Sequence, residues 1–224
     1  DLDHTLWDFD ANCREVLKEL YGTLALKEQG VEDFNRFHQT YLVHNKKLWE
    51  RYRHGYIKLE ELKWKRMWLA LLDFKIGNAK LAREMGNLFH GLLPSWRRLF
   101  PDTVETLEYL TGKGYQLHII TNGTEAVQHN KIKSAGITSF FKEIITSEGS
   151  NSLKPKKEIF DFAFYKAKAR NHESIILGDN LEVDIQGGIN AGMDQVHVNH
   201  INENAGAIKA TYTVYSLKEL KTIF

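Results

Sequence analysis

Beyond about residue 97 the sequence falls into short apolar runs alternating with helix-patterned segments, and no other feature restricts the fold as much. Alternation of this kind is the signature of successive β-α units around a parallel sheet. Strands are predicted at Tyr115–Thr121, Glu143–Thr146, Ser174–Gly178, Gln195–Asn199 and Thr211–Tyr215. Helices are expected from Pro101-Asp102 to Gly112 or Gly114, from Glu125 to Ala135 before Gly136, from Ile159 to Arg170, and from Asp184 to Ala191 before Gly192. Glycine suits such ends because helices commonly finish on a left-handed residue. Ser216 and Glu219, three apart, have the pattern of a capping box for a last helix.

Residues from about 11 to 96 follow another rule, with aromatics and leucines three or four apart among charges and no period-two alternation. Leu17, Leu20, Tyr21 and Leu24 form one such set; Phe34, Phe37, Tyr41, Leu48 and Tyr52 form another, and Gly55 and Gly77-Asn78 punctuate the helices. At 224 residues the chain is long for one domain of roughly 100 to 200 residues, which suggests a domain carrying an insertion or two small domains. The 42% of hydrophobic residues can build a core, and 30 basic against 29 acidic residues exclude a nucleic-acid polycation or an acidic disordered tail. The single Cys13 excludes an intrachain disulfide framework and any CxxC zinc module, which fits a reducing compartment. No stretch approaches the roughly 18 apolar residues that span a bilayer, and no secretion signal is seen, so a cytoplasmic protein without membrane contact is expected.

In open parallel sheets reactive groups collect where strands end, and four places there carry chemistry. Thr121-Asn122-Gly123 sets a hydroxyl, an amide and a glycine before a helix, which is either anion-binding chemistry or a polar turn. Lys154 precedes Pro155; taken alone it reads as a surface charge. Asp179 and Asp184 flank a strand-to-helix turn, as ligands for a hard divalent cation or as helix caps. Asp1 and Asp3, with Thr5, crowd the beginning of the sequence, and strand alternation places both acids on one side.

Taken in chain order the four sites resemble the haloacid dehalogenase-like hydrolase superfamily: Asp1-Leu2-Asp3-His4-Thr5, then Thr121, Lys154, and Gly178-Asp179 through Asp184. Ile119-Ile120-Thr121-Asn122-Gly123 and Asp184-Ile185-Gln186-Gly187-Gly188 are also similar to it, and the opening Asp-Leu-Asp-His-Thr-Leu-Trp-Asp most resembles the bacterial pyrimidine 5′-nucleotidase branch. The resemblance implies an α/β protein: a Rossmann-like, doubly wound parallel-sheet core formed by residues 1–11 and 97–224, with an inserted all-helical cap at 12–96. It implies a Mg²⁺-dependent phosphomonoester hydrolase working through an aspartyl-phosphate, acting on a small phosphorylated metabolite such as a nucleoside 5′-monophosphate, as a monomer or homodimer without nucleic acid. Its catalytic residues would be Asp1 as nucleophile, Asp3 as acid and then base, Thr121 and Lys154; Thr121, Asn122 and Lys154 would bind phosphate, and Asp1, Asp3, Asp179 and Asp184 the metal. Asp3's double role suits a carboxyl whose pKa a neighbouring acid raises. A phosphosugar mutase of the β-phosphoglucomutase type is the main alternative; a 2-haloacid dehalogenase is disfavoured because metal-independent dehalogenases lack the second acid.

Several residues resist that scheme. Asn151 stands where relatives often carry glycine, and asparagine tolerates the left-handed backbone such a position needs. Between Asn45 and Trp68 eight cationic side chains face three acidic ones, with Trp49, Tyr52, Tyr56, Trp64 and Trp68 interleaved. Helical spacing favours core packing for these aromatics, with Arg66 or an aromatic as a candidate contact for the leaving group. His197 and His200 lack the further ligands of a zinc site, and His4 receives no catalytic role. Since the family's nucleophile ends a central strand, several apolar residues are expected upstream of Asp1.

Overall fold

The computed structural model describes residues 1–202 and 206–224, which form two compact units: Asp10–Trp96, and Asp1–Phe9 with Arg97–Phe224. Among the described residues no helix is long and apolar enough to cross a membrane.

The first unit follows α1 (Phe9–Thr23), α2 (Phe34–Arg53), α3 (Leu59–Leu72) and α4 (Ala79–Leu92), with α3 packed on both α2 and α4. Two of the starts are written in the sequence: the Asp33 carboxylate accepts from the Asn35 and Arg36 amides, and Asn78 accepts from Leu81 N. Such caps contribute about 1 kcal/mol each. Phe37, Tyr41 and Leu48 on α2, Leu62 and Met67 on α3, and Leu81, Met85 and Phe89 on α4 are buried, which is the three-to-four spacing turned into an interior. Trp49 and Tyr52 meet edge to face at 5.7 Å and pack beside Leu48, Ile57 and Leu62. Trp64 lies 6.3 Å from Trp68 and carries the Arg83 guanidinium 4.1 Å above its ring, whereas Tyr56 is exposed. Arg66 is 2% exposed; it donates to Asn45 Oδ1, lies 3.0 Å from His90 Nε2 and stands over Phe89 and Tyr41. Trp49, Tyr52, Trp64 and Trp68 are thus packing residues, Tyr56 departs from that expectation, and the Arg66 guanidinium is engaged inside its own unit.

The second unit continues through α5 (Thr103–Gly112), β1 (Leu117–Thr121), α6 (Glu125–Ser134), β2 (Phe141–Thr146), α7 (Ser147–Ser150), α8 (Lys157–Ala167), β3 (Ile175–Gly178), α9 (Gln186–Ala191), β4 (Asp194–Val198) and β5 (Tyr212–Val214). All five predicted strands form, and every pairing is parallel. They make a pair, β1-β2, and a triplet, β3-β4-β5, and the Asp1 backbone nitrogen donates to Leu177 O on β3. One core joins the two groups: Ile120, Ile145 and Ile176 from the strands meet Ile159, Phe160 and Ala163 of α8 and Ala191 after the last site. Burying an isoleucine or phenylalanine contributes about 1.5–3 kcal/mol, so this seam holds the strand ends in register.

Two local expectations are corrected. The last segment, Leu217–Thr222, is a 3₁₀ helix, because Ser216 Oγ donates to the Glu219 carboxylate instead of accepting from the Glu219 amide. The chain also begins to coil before Asp184, in a wide π turn at Leu181–Ile185 where Ile185 N reaches back five residues to Asn180 O. Asn180 Oδ1 caps that turn by accepting from the Glu182 and Val183 amides. Single π turns are frequent at functional sites, and this one turns Asp184 inward.

Candidate active site

The four segments at Asp1–Thr5, Thr121–Gly123, Lys154 and Asp179–Asp184 lie in the second unit: Thr121–Gly123 and Asp179 stand at the ends of β1 and β3, and Lys154 lies in the loop between α7 and α8. The Asp1–Trp7 loop is a tight coil in which the Leu6 and Trp7 amides both donate to Leu2 O, with His4 at φ 65°. Histidine is among the residues that adopt this left-handed conformation most readily. The coil brings the Thr5 hydroxyl inward, 1% exposed, where it accepts from Asp179 N and lies 3.0 Å from Asp1 Oδ2 and 3.2 Å from Asp179 Oδ1. With one proton to give, Thr5 ties the first loop to the β3 loop whichever carboxylate takes it.

Asp1, Asp179 and Asp184 converge, each offering a carboxylate oxygen within 4.8 Å of the others. Lys154, 1% exposed, answers them: its Nζ donates to Asp1 Oδ1 at 2.6 Å, Asp184 Oδ1 at 2.7 Å and Ile120 O at 2.8 Å. The Lys154 reading as a surface charge is therefore excluded. Asp184 Oδ2 accepts from Asn180 N, and a Cβ on Gly178 would stand 2.3 Å from the Asp184 Cγ, so only glycine leaves room for that inward carboxylate. Burial first and Asp184 second push Asp179 up to about 7 despite the pull of Lys154. One ammonium for three carboxylates leaves excess negative charge, and oxygen donors so arranged fit a hard divalent cation.

Lys154 is placed by the loop after β1. Asn122 Nδ2 donates to Lys154 O at 3.0 Å and Asn122 Oδ1 accepts from Lys154 N at 2.7 Å, so the whole carboxamide is spent on the lysine's main chain. Asn151 ends α7 at φ 50°, in the left-handed conformation expected of it. Thr121, 2% exposed, accepts from Gln128 Nε2 at 2.7 Å.

Asp3 faces other neighbours. Its Oδ1 accepts from Lys131 Nζ at 2.7 Å and its Oδ2 from Gln128 Nε2 at 3.0 Å. Burial alone would raise this carboxyl, but the Lys131 charge and hydrogen bond, with Gln128, outweigh it and hold the pKa below the usual value. The expectation of a pKa raised by a neighbouring acid is thereby corrected, because the partners are a cation and an amide. Gln128 and Lys131 were not legible as site residues; their signal is the three-residue spacing on the helix after Thr121, which puts both on one face. His197 and His200 hold the same loops, donating to the carbonyls of Asp179 at 3.1 Å and Thr5 at 3.0 Å, with His200 stacked 3.9 Å from Phe100.

The family description haloacid dehalogenase-like hydrolase matches residues 1–198. Pyrimidine 5′-nucleotidase PynA of Streptococcus pneumoniae is 32% identical over 98% of this chain and 91% of its own length, and pyrimidine 5′-nucleotidase YjjG of Escherichia coli is 31% identical over 100% and 95%. The magnesium-bound crystal structure of the HAD-hydrolase YfnB from Bacillus subtilis superposes with a TM-score of 0.88 at 26% identity, covering 100% of this chain and 95% of that one.

Proposed function

The chain belongs to the haloacid dehalogenase-like hydrolase family, and on that footing we propose that it is a Mg²⁺-dependent phosphomonoesterase acting on nucleoside 5′-monophosphates. The observation that carries this reading is the convergence of Asp1, Asp179 and Asp184 within 4.8 Å around the buried Lys154 ammonium. Likeness to two pyrimidine 5′-nucleotidases supports the substrate class. Residues 12–96, the helical insertion, are assigned as the family's cap.

The Asp1 carboxylate attacks phosphorus in line and carries the phosphoryl group as an aspartyl-phosphate, dividing one displacement into two easier ones. Asp3, once protonated against the pull of Lys131, gives that proton to the departing alkoxide oxygen and later takes one from the water that hydrolyses the intermediate. Thr121 Oγ and Lys154 Nζ hold phosphoryl oxygens, the ammonium exchanging one of its three protein partners for the substrate, and Asn122 contributes through its backbone amide while its carboxamide holds the Lys154 main chain. The cation would be held by the Asp1 and Asp179 carboxylates and the Asp3 backbone carbonyl, with Asp184 acting through water; Mg²⁺ keeps several waters, so few protein ligands suffice. When bound it supplies positive charge against the phosphoryl oxygens and keeps Asp1 ionised. Such electrostatic positioning carries most of phosphoryl-transfer catalysis.

Phosphate release from nucleoside monophosphates, sugar phosphates and phosphoglycolate, with and without Mg²⁺, tests the reading. Release that requires Mg²⁺ and favours the nucleotides is expected; no release from any of them overturns it.

A further inference from the structure

Asp3 is held from α6, a helix to which neither the composition nor the motifs assign chemistry. Lys131 is 2% exposed, and its ammonium lies 4.4 Å over the Trp7 ring and 5.6 Å over that of Phe9 while it grips the quarter-exposed Asp3 carboxylate. A cation anchored on two aromatic faces is a fixed point from which a carboxylate is aimed. Gln128 is fully buried, and its Nε2 donates both to Asp3 Oδ2 and to Thr121 Oγ1. A carboxylate can only accept, so the amide group must face it, and Gln128 Oε1 is left buried without a hydrogen-bond partner among the described residues. Stability alone would not choose a glutamine at such a cost in desolvation. The Thr121 oxygen receives a second donor from Gly123 N at 3.3 Å, so its own proton points away from both. A Cβ on Gly123 would stand 2.4 Å from Gln128 Cδ, so the loop is shaped around this side chain.

We propose that Lys131 and Gln128 are positioning residues for the leaving-group step, together aiming the Asp3 carboxyl and committing the Thr121 hydroxyl proton to the phosphoryl group. This rests on the phosphomonoesterase reading above. Proton delivery matters most when the leaving group is a poor one, so the two residues are felt in the contrast between substrates. A general acid contributes about 10²–10⁴-fold, and mispositioning one forfeits a part of that.

The test is kcat/KM with Mg²⁺ for the wild type, Lys131→Met, Lys131→Arg and Gln128→Met, on a nucleoside 5′-monophosphate and on p-nitrophenyl phosphate, whose leaving group needs little protonation. Lys131→Met and Gln128→Met are expected to lose about tenfold more on the nucleotide than on the aryl ester, with Lys131→Arg recovering most of the Lys131→Met loss. Equal losses on both substrates, or none on either, overturn the proposal. Should Lys131→Met fail to fold, Gln128→Met removes no charge and carries the same contrast. A wild type inactive on both substrates overturns the phosphomonoesterase reading itself, a result distinct from loss of the contrast.

Discussion

Lys154 Nζ lies 2.6 Å from Asp1 Oδ1, a pair 153 positions apart in sequence and almost wholly withdrawn from water. The same ammonium holds Asp184 at 2.7 Å, so one charge keeps two carboxylates from repelling each other. Lys154→Met is expected to lower kcat/KM by about 10²–10³, as removal of an oxyanion-stabilising donor does. It is also expected to destabilise the metal-free fold by about 3–5 kcal/mol, since a broken buried pair leaves its partners uncompensated. Thermal melts and phosphate release check both; unchanged values in either would contradict the role.

Asp179 and Asp184 differ in exposure and in partners, which separates their contributions to the cation. Asp179→Asn removes a proposed direct ligand, whereas Asp184 is already held by Lys154 Nζ and Asn180 N. Calorimetric titration with Mg²⁺ should show the larger loss of affinity for Asp179→Asn. In the wild type, Mg²⁺ at 100 times its Kd should stabilise the fold by about 2.7 kcal/mol. No thermal shift with Mg²⁺ would contradict a site there.

Gly178 separates packing from charge. Gly178→Ala changes no ionisable group but drives a Cβ to 2.3 Å from Asp184 Cγ. Overpacking of this kind costs about 1–3 kcal/mol, and here it must push the carboxylate off Lys154. A lowered Tm together with weakened Mg²⁺ binding is expected; a lowered Tm with Mg²⁺ affinity intact would show that Asp184 has no part in the site.

How much of this was legible follows from the range of the interactions. The strands could be read because each apolar run is local, the Thr121 and Asp179 segments because each ends a strand, and the Asp1 and Lys154 segments from their resemblance to the family's motifs. Asn151 was readable from the glycine that relatives often carry there together with asparagine's own backbone preference. Lys131 and Gln128 were not, since a polar pair three apart on a helix looks like a solvated face until Trp7 and Asp3 fold against it. The Asp3 environment was misread for the same reason. The wide turn at Leu181–Ile185 was hidden because the contact it serves, Asp184 turned toward Lys154, spans 30 residues.

His118 on β1 and His38 on α2 both have pKa values lowered from 6.5, by burial first, with Lys142 and Arg14 respectively adding to it. The folded chain therefore binds fewer protons at these sites than the unfolded one, and their contribution to stability is lost as pH falls through about 6.5 toward the folded values. Melts of the wild type and of His38→Gln/His118→Gln from about pH 7.5 to 5 check this; the variant should lose less stability on acidification. Equal slopes would contradict it.

The central claim is that Asp1 carries the phosphoryl group. Acid-quenched reactions with ³²P-labelled nucleoside monophosphate and Mg²⁺ should trap a hydroxylamine-labile label on the peptide containing Asp1, and Asp1→Asn should show neither label nor turnover. Undiminished turnover by Asp1→Asn, or label on another peptide, would contradict it.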